Sequence, residues 1–408
     1  MSIDQQERGA NQDLDSNIEV REHRSWLQRL GDSLKGIVVG LVLFLCAIFL
    51  LVWNEGRAVE SARALEEGAA SVISLASDRR EAANEGRLVH VSGPTQSETA
   101  LVDSDFGLSV RGLKLVRTVE MFQWKEERRS ETVKKLGGGE ETVTRYVYSR
   151  EWSERAVESS RFHEAANHRN PPMPAFGSRA IYARDARVGA FGFGQQAVTQ
   201  ISGAEPVAAS AETLVRARAL LGPQARLDQT RIYVGDPDFV RIGDLRIGFD
   251  MVPHQDVSVI GRQTGGAITP YRARNGQEIL LAANGILSAD VMFQRSLDEN
   301  QIITWLLRAV GALVLFISLR LMVAVLSVLA DVIPVFGDLV SAGTGLLCLA
   351  ATFAIAPLVI AIAWLAYRPL TSAIVLGVSA LAALALARLM RKRAVAATPP
   401  PVSLNGLS

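Results

Sequence analysis

The feature that most constrains this chain is a set of long apolar runs on either side of a polar segment. One run extends from Ile37 to Trp53, and three more lie between Ile302 and Met390. Crossing the hydrocarbon core of a bilayer takes about 20 apolar residues of helix. Because no water reaches the backbone in that core, helices are the expected form of all four runs. The sequence therefore predicts a multi-pass membrane protein that has the lipid bilayer as its solvent.

The residues between the runs, 54–301, are numerous enough to fold in water as one large or two small domains. Lysine and arginine residues favour the cytoplasmic side of a membrane. Eight of them lie just before the first run or around the end of the last one, and four lie close to the opposite ends of the runs. We therefore predict that both termini are cytoplasmic and that the large segment is extracytoplasmic.

Within the polar segment, apolar and polar residues alternate with a period of two, which predicts strands. Residues 116–125 and 142–151 flank a glycine-rich loop at 136–139, a pattern typical of a long hairpin. Helical spacing predicts helices over 211–221 and 288–300. We therefore expect an α+β fold class with four transmembrane helices, one N-terminal and three C-terminal, and a large strand-rich extracytoplasmic domain between the first and the second.

The predicted organisation has five parts. Trp26, Leu27, Leu30 and Leu34 recur at helical spacing among basic residues, which predicts an amphipathic helix on the cytoplasmic leaflet. In full, the parts are a cytoplasmic tail with this juxtamembrane helix (1–35), transmembrane helix 1 (36–53), the extracytoplasmic or lumenal α+β domain (54–301), three transmembrane helices with a cytoplasmic interfacial segment near 321–339 (302–390), and a disordered cytoplasmic tail (391–408).

Two arginines, Arg308 and Arg320, lie within the second apolar run, separated by about 18 Å of helix. We expect Arg308 to extend outward and Arg320 toward the cytoplasm, because long basic side chains keep their charge in water. The alternative is that an intramembrane arginine has a direct functional role. Small residues at four-residue spacing, Gly36 and Gly40, would let the first helix approach another helix closely.

Charge balance and missing motifs argue against several function classes. The 43 basic and 42 acidic residues give a net charge of +1, so no overall field attracts nucleic acid. Cys46 and Cys348 lie inside apolar runs and form no CxxC pair for zinc or redox chemistry. The Walker pattern, the GxSxG elbow and the EF-hand loop are absent from the sequence.

His163, Glu164 and His168 resemble a metalloprotease helix, but the histidines are five residues apart where zinc needs four. With Asn170 and Pro171 close by, we interpret this stretch as a loop. The glycines of GAFGFG do not match the dinucleotide-binding pattern GxGxxG. We therefore predict no catalytic residue, no cofactor and no metal, and a protein that is not an enzyme.

The phrase NEGR occurs twice, at 54–57 and at 84–87. Asn before Glu-Gly suits a turn in which Gly takes a positive φ and Arg is free to pair with a carboxylate. Two turns of similar chemistry, one at a span exit and one at a strand entry, explain the repeat. A shared binding function is the alternative.

Eight short motifs resemble the transmembrane protein 43 family, also called LUMA, and they occur in that family's order. They are WNEGRA at 53–58, NEGRLVH at 84–90, VEMFQW at 119–124, EW at 151–152, HRNP at 168–171, GDLR at 243–246, PVFGDLV at 334–340 and YRPL at 367–370. The positions that the resemblance singles out are Asn54, Glu55, Gly56, Arg57, Asn84, Glu85, Gly86, Arg87, Glu120, Trp124, Trp152, Asn170, Pro171, Gly243, Asp244, Arg246, Arg308, Pro334, Asp338, Arg368 and Pro369.

This resemblance implies a membrane scaffold or organiser that acts through self-association, as a homo-oligomer, and through partner binding by its extracytoplasmic domain. Animal members of the family lie in the endoplasmic reticulum and inner nuclear membrane and associate with emerin and lamins, which bacteria lack. The bias of 37 arginines over six lysines favours a GC-rich, bacterial genome. The expected location is the inner membrane with the domain in the periplasm for a bacterial chain, and the endoplasmic reticulum or inner nuclear membrane for a eukaryotic one. Two alternatives stay open: a membrane-bound sensor or transporter with an extracytoplasmic ligand-binding domain, and an extracytoplasmic hydrolase.

Overall fold

The computed structural model of the chain describes residues 15–367 and residue 377. The predicted tail 391–408 and, apart from residue 377, the predicted fourth span 370–390 lie outside the described residues. Along the chain, a long apolar helix is followed by a strand-rich region and then by two further long apolar helices. The predicted α+β class, with membrane helices on both sides of a strand-rich domain, is therefore confirmed.

Helices and strands have the following bounds. The helices are α1 (Trp26–Ser71), α2 (Gln195–Val198), α3 (Ala211–Leu221), α4 (Ala289–Ala330) and α5 (Pro334–Tyr367). The strands are β1 (Asp15–Arg24), β2 (Ile73–Ser74), β3 (Leu88–Gln96), β4 (Leu101–Val102), β5 (Ser109–Val110), β6 (Lys114–Lys134), β7 (Glu140–Ser153), β8 (Arg179–Tyr182), β9 (Arg187–Val188), β10 (Phe191–Phe193), β11 (Glu205–Pro206), β12 (Ala225–Asp228), β13 (Arg231–Val234), β14 (Leu245–Val252), β15 (Asp256–Thr264), β16 (Ala267–Thr269), β17 (Tyr271–Arg272), β18 (Glu278–Ile279) and β19 (Leu281–Asn284).

These elements form two compact units. The sheet unit contains residues 15–24, 62–135 and 139–299, and with them all of the strands named above. The helical unit contains residues 25–61, residues 136–138 and the described residues from 300 onward, and with them most of α1, most of α4 and the whole of α5.

The larger sheet is antiparallel and has the strand order β1-β7-β6-β14-β13-β12, with β8 also paired to β6 and β11 to β14. Its longest strands, β6 with 21 residues and β7 with 14, form the hairpin that the glycine-rich loop predicts. Gly137 and Gly138 have φ angles of 86° and 80°, in the left-handed region that favours glycine.

The second sheet closes into a ring. β3, β15, β16, β10 and β9 each pair with the next strand, and β9 pairs back to β3. β19 and β2 extend the ring as additional strands beside β15 and β3. Closure satisfies strand edges that would otherwise be open to pairing with other chains.

Both sheets bury their apolar side chains in one core. Leu115, Val119 and Ile247 enter this core from the larger sheet, and Phe191 and Val257 enter it from the ring. All five are fully buried, and each contributes about 1.5–3 kcal/mol by leaving water. The period-two alternation that predicts the strands is the sequence signature of this one buried face.

The last turns of α1 and the first turns of α4 belong to the sheet unit. Ala64 of α1 and Phe293 of α4 are buried in a second apolar cluster together with Ile279. Gly68 lies against the ring of Phe293, where a Cβ atom would come within 2.8 Å of the ring edge. The helix predicted over 288–300 is confirmed, and it continues without a break into the second span.

Within the described residues, α1, α4 and α5 are the helices that are long and apolar enough to cross a membrane. Gly40 of α1 packs against α4, and a Cβ atom there would lie 2.8 Å from the carbonyl oxygen of Ser318. The predicted close approach at this glycine is therefore a contact within one chain. Apolar side chains on the outer faces of these helices, such as Phe49 and Phe353, are largely exposed, as lipid-facing side chains are.

Two segments that flank the spans have secondary structure that the sequence did not lead us to expect. Residues 15–24, expected as part of a cytoplasmic tail, form β1, which pairs antiparallel with β7 along its length. Strands that share backbone hydrogen bonds are expected to share one aqueous phase, which makes the side of β1 a question for experiment. The interfacial segment expected near 321–339 is not a separate element either, because α4 continues to Ala330 and α5 begins at Pro334.

Candidate functional site

The densest group of polar side chains in the helical unit surrounds Glu55. Glu55 is 1% exposed, and its carboxylate oxygens accept hydrogen bonds from Nε and Nη2 of Arg308, both at 2.7 Å. Trp364 Nε1 also donates to Oε2 of Glu55, at 2.5 Å. One carboxylate therefore joins α1, α4 and α5. We call this group the Glu55 cluster, and its members are Asn54, Glu55, Arg57, Asn300, Thr304, Arg308 and Trp364.

Aromatic rings complete the surroundings of Arg308. Its guanidinium carbon lies 4.7 Å from the ring centroid of Trp305 and 5.6 Å from that of Trp364. Bidentate pairing and cation–π contacts both favour the charged guanidinium. The prediction that Arg308 reaches water by extending outward is therefore unnecessary, because the chain supplies its counter-charge.

Arg57 forms the other half of the Glu55 cluster. Its Nη1 donates to Oδ1 of Asn300 at 2.9 Å, and its Nη2 donates to Oγ1 of Thr304 at 3.0 Å and to Oδ1 of Asn54 at 3.3 Å. Asn54 is fully buried and donates through Nδ2 to the carbonyl of Thr304 at 3.1 Å. All of these acceptors are uncharged.

A second polar group, the Arg29 cluster, lies elsewhere in the helical unit and consists of Trp26, Arg29, Gly138 and Asp331. Asp331 is 1% exposed and accepts a hydrogen bond from Nη2 of Arg29. Nη1 of Arg29 donates to the carbonyl of Gly138 at 2.6 Å, and Trp26 Nε1 donates to the carbonyl of Val328 at 2.8 Å. These bonds fasten the start of α1 to the turn that follows α4.

The two clusters mark the ends of the apolar part of the helices. Arg29 and Glu55 are separated on α1 by about 39 Å of helix. A bilayer measures about 30 Å across its hydrocarbon core and about 40–45 Å with its headgroups. Between the clusters, Arg320 donates to the carbonyl of Ser341 at 2.8 Å and to Oγ1 of Thr344 at 3.2 Å. The clusters are therefore spaced as two interfacial sites would be.

The second NEGR phrase forms the predicted turn. Gly86 has a φ of 77°, and its N–H donates to the carbonyl of Gln263 at 2.9 Å. The carboxylate of Glu85 accepts from the N–H of Gly265. The first phrase, at 54–57, lies inside α1, so the turn predicted there is wrong. Asn54, Glu55 and Arg57 of this phrase bond to side chains and carbonyl groups of α4 instead of to a turn.

Other motif positions line a cleft on the outer face of the larger sheet. Arg246 on β14 donates to Glu120 on β6 through Nε at 2.5 Å and Nη2 at 3.0 Å. Its guanidinium carbon lies 4.6 Å from the ring centroid of Trp152. Tyr233 donates to Asp244 at 3.0 Å, and burial together with this bond raises the pKa of Tyr233. The cleft has a volume of about 710 Å³.

A further set of motif positions holds a loop against β6. Oδ1 of Asn170 accepts from the N–H of Trp124 at 2.7 Å, and Nδ2 of Asn170 donates to the carbonyl of Trp124 at 2.9 Å. Pro171 lies against Gly243, which has a φ of 94° and leaves no room for a Cβ atom. These four positions have structural roles.

The two histidines of the metalloprotease-like stretch stack on tyrosines of β7. His168 lies 3.7 Å from Tyr148, and His163 lies 4.3 Å from Tyr146, between ring centroids. Burial and a hydrogen bond donated to Glu126 raise the pKa of Tyr148 to about 12. Among the residues that the structure describes, no group of three or more His, Cys, Asp or Glu side chains is arranged to hold a metal.

The remaining motif positions lie at the C-terminal end. Pro334 is the first residue of α5, and Asp338 is exposed one turn later, whereas Arg368 and Pro369 lie outside the described residues. Sequence reasoning missed Trp364 and the other partners of the two clusters. The available signal was charge complementarity. An acid at the exit of one span and an arginine inside the next are each unfavourable beside lipid unless they form a pair.

Comparison with known proteins agrees with the motifs. The model of the family described as Transmembrane protein 43 matches residues 121–369, which is more than half of the chain. This chain belongs to the transmembrane protein 43 family. Transmembrane protein 43 of Rattus norvegicus is 33% identical over 374 residues, which cover 89% of this chain and 92% of the relative.

More distant members of the transmembrane protein 43 family match over a similar length. The Homo sapiens protein is 32% identical over 376 residues, covering 89% of this chain and 92% of the relative. The Drosophila melanogaster homologue is 29% identical over 348 residues, covering 83% and 90%. No solved structure matches the chain. These relatives therefore match this chain over 90% or more of their own length, and the matched chain includes residues 54–57 and Arg308.

Proposed function

We propose that this member of the transmembrane protein 43 family is a membrane scaffold without enzymatic activity, acting through self-association and through partner binding by its sheet unit. The main support is that polar side chains of the membrane helices pair with one another, as Glu55 does with Arg308 and Asp331 with Arg29. A transporter needs polar groups in its helices that remain available to a substrate. Paired groups of this kind suit a fixed anchor.

The same proposal includes a location. Integral membrane helices agree with the relatives, and the basic residues beside the spans favour a sheet unit outside the cytoplasm. In a bacterium the sheet unit would face the periplasm from the inner membrane. In a eukaryote the chain would lie in the endoplasmic reticulum or the inner nuclear membrane, and the sheet unit would face the lumen.

Cross-linking of the full chain in its native membrane tests the scaffold. We expect covalent multimers of the chain itself, with the same pattern in Arg320→Leu, because a scaffold does not need a conducting arginine. Recovery of monomers alone, with a monomeric mass in mild detergent, would contradict self-association. Loss of a measured solute flux in Arg320→Leu, with its fold and amount unchanged, would favour a transporter instead.

A specific observation favours the second candidate, a membrane-bound sensor. The cleft on the larger sheet is within the usual size range of small-molecule sites, about 300–1,000 Å³. Gly248 lines it in the middle of β14, where a missing side chain lets another group approach the backbone. Arg231 lies over Gly248, and no hydrogen-bond partner is found for its guanidinium in the described part of the chain.

The variant Gly248→Val tests this cleft. Valine suits a strand and its β-carbon has ordinary contact distances there, so the fold should persist while the cleft is filled. Thr118, the register partner of Gly248 on β6, does not line the cleft, so Thr118→Val is the control. A sensor predicts that some small solute in a thermal-shift screen stabilises the wild type and Thr118→Val but not Gly248→Val. A screen in which no solute distinguishes these proteins would rule out the cleft as the sensing site.

A further inference from the structure

Arg57 differs from Arg29 and Arg308 of the helical unit, whose guanidinium groups bond to carboxylates, because its own acceptors are all uncharged. Among the described residues its guanidinium contacts three uncharged acceptors, on Asn54, Asn300 and Thr304. The nearby carboxylate of Glu55 already accepts from Arg308 and from Trp364. With two guanidinium groups and one carboxylate, the Glu55 cluster keeps one uncompensated positive charge.

The side chain of Arg57 also has unused donors. Three of its five N–H groups are donated to the acceptors above. Its Nε is buried and has no acceptor within the described residues. A guanidinium that is oriented by neighbours, carries an uncompensated charge and keeps a free N–H on Nη1 can bind an anion that brings its own oxygen atoms.

Arg57 lies at the level where a bilayer offers such an anion. It follows the end of the apolar run by one helical turn. Two tryptophans nearby, Trp53 on α1 and Trp305 on α4, are 49% and 60% exposed. Exposed tryptophans at the end of an apolar run are typical of the headgroup region. The commonest anion in that region is the phosphate of a phospholipid.

We propose that Arg57 binds the phosphate of an anionic phospholipid, with a phosphate oxygen accepting from the N–H of Nη1 that is not donated to Asn300. A net negative headgroup compensates the remaining charge of the Glu55 cluster, whereas a zwitterionic headgroup brings a cation with its phosphate. Asn54, Asn300 and Thr304 hold the guanidinium in place for this ligand. The inference goes beyond the scaffold function and does not depend on self-association.

The test measures lipid retention by the purified full chain. Wild type, Arg57→Gln, Arg57→Lys and Arg63→Gln are equilibrated with equal amounts of phosphatidylglycerol and phosphatidylcholine, and bound lipid is counted by native mass spectrometry. Arg63→Gln is the matched control, because it removes the same charge from an exposed position on α1. A separate arm replaces lipid by inorganic phosphate and follows thermal stability.

We expect the wild type to prefer phosphatidylglycerol and Arg57→Gln to lose that preference by about fivefold. Arg57→Lys should retain most of it, and Arg63→Gln should match the wild type. Equal retention of phosphatidylglycerol in Arg57→Gln, or no preference in the wild type, overturns the proposal. Stabilisation by inorganic phosphate that equals stabilisation by the lipid overturns it too, since the ligand would then be an aqueous anion. If Arg57→Gln does not fold, the wild type and Arg57→Lys decide the question.

Discussion

A buried carboxylate such as Glu55 is stable only while Arg308 and Trp364 supply its hydrogen bonds. Removing one member of a buried ion pair leaves an uncompensated charge and costs about 3–5 kcal/mol, whereas replacing both by apolar residues is close to neutral. We therefore expect Glu55→Leu to lower the melting temperature in detergent and the double variant Glu55→Leu/Arg308→Met to recover most of the loss. A double variant less stable than either single variant would contradict this account of the cluster.

His90 gives the sheet unit a dependence on pH. Its ring nitrogens lie 3.1 Å from the hydroxyls of Ser74 and Ser92, and burial lowers its pKa from 6.5. The folded chain therefore favours the neutral ring, and this stabilisation is complete above pH 6.5 and is lost as pH falls through the lower folded pKa.

We expect His90→Gln to melt at a temperature that changes less between about pH 7.5 and about pH 5.5 than that of the wild type. The control is His254→Gln, because His254 is exposed and its variant should follow the wild type. The measurement is a pair of thermal melts at each pH. Identical pH dependence in all three proteins would show that His90 carries no such linkage.

At the scale of elements, two glycines of α1 allow the effect of helix propensity on stability to be distinguished from the effect of helix packing. Alanine is about 1 kcal/mol better than glycine inside a helix. Gly31 has no atoms within 4 Å of a Cβ position, whereas a Cβ at Gly40 would lie 2.8 Å from both Ser318 O and Met322 Cγ on α4. We expect Gly31→Ala to raise the melting temperature and Gly40→Ala to lower it. A rise in both variants would mean that α1 and α4 are not closely packed there.

Elements with a strong local pattern were predictable from the sequence. The helix expected over 211–221 is α3, and the hairpin strands expected over 116–125 and 142–151 lie within β6 and β7. β1 was not predictable, because its pairing partner lies more than a hundred residues away and its own sequence is rich in charge. The strands β9 and β10, with two and three residues, are too short to show a period.

The Glu55 cluster was predictable only in part, and for a related reason. Its motif positions stand out in the sequence, but Trp364 contacts Glu55 from 309 residues away. A local sequence pattern cannot identify a partner that is so distant along the chain. What the sequence does carry is the need for one, because neither a glutamate nor an arginine is stable alone beside lipid.

At the scale of the whole molecule, the pairing of β1 with β7 constrains how the chain can pass through a bilayer. β1 precedes α1 along the chain, and β7 follows it. A bilayer crossed once along α1 would separate the two strands, whereas their ladder of hydrogen bonds requires one shared phase. The predicted assignment of residues 1–35 and 54–301 to opposite sides and the pairing of β1 with β7 are therefore alternatives that an experiment can distinguish.

A disulfide trap tests that pairing in the membrane. Glu22 and Thr142 are register partners on β1 and β7, and Thr132 is the next partner across, on β6. Directly paired residues have Cα atoms about 4.5–5.5 Å apart, within reach of a disulfide, whereas residues two strands apart are separated by about 9.5 Å and are not. In a chain with both native cysteines replaced by alanine, we expect Glu22→Cys/Thr142→Cys to cross-link on mild oxidation and Glu22→Cys/Thr132→Cys to remain reduced.

The result decides between two paths of the chain. Efficient cross-linking of the Glu22 and Thr142 pair in intact membranes would place β1 beside β7, so the start of α1 and the strands that follow its end would share one side. Absence of the cross-link, with both cysteines reactive to reagents on opposite sides, would restore the predicted cytoplasmic tail. Because the control pair differs only in its distance across the sheet, equal cross-linking of both pairs would mean that the hairpin is frayed and would contradict the described register.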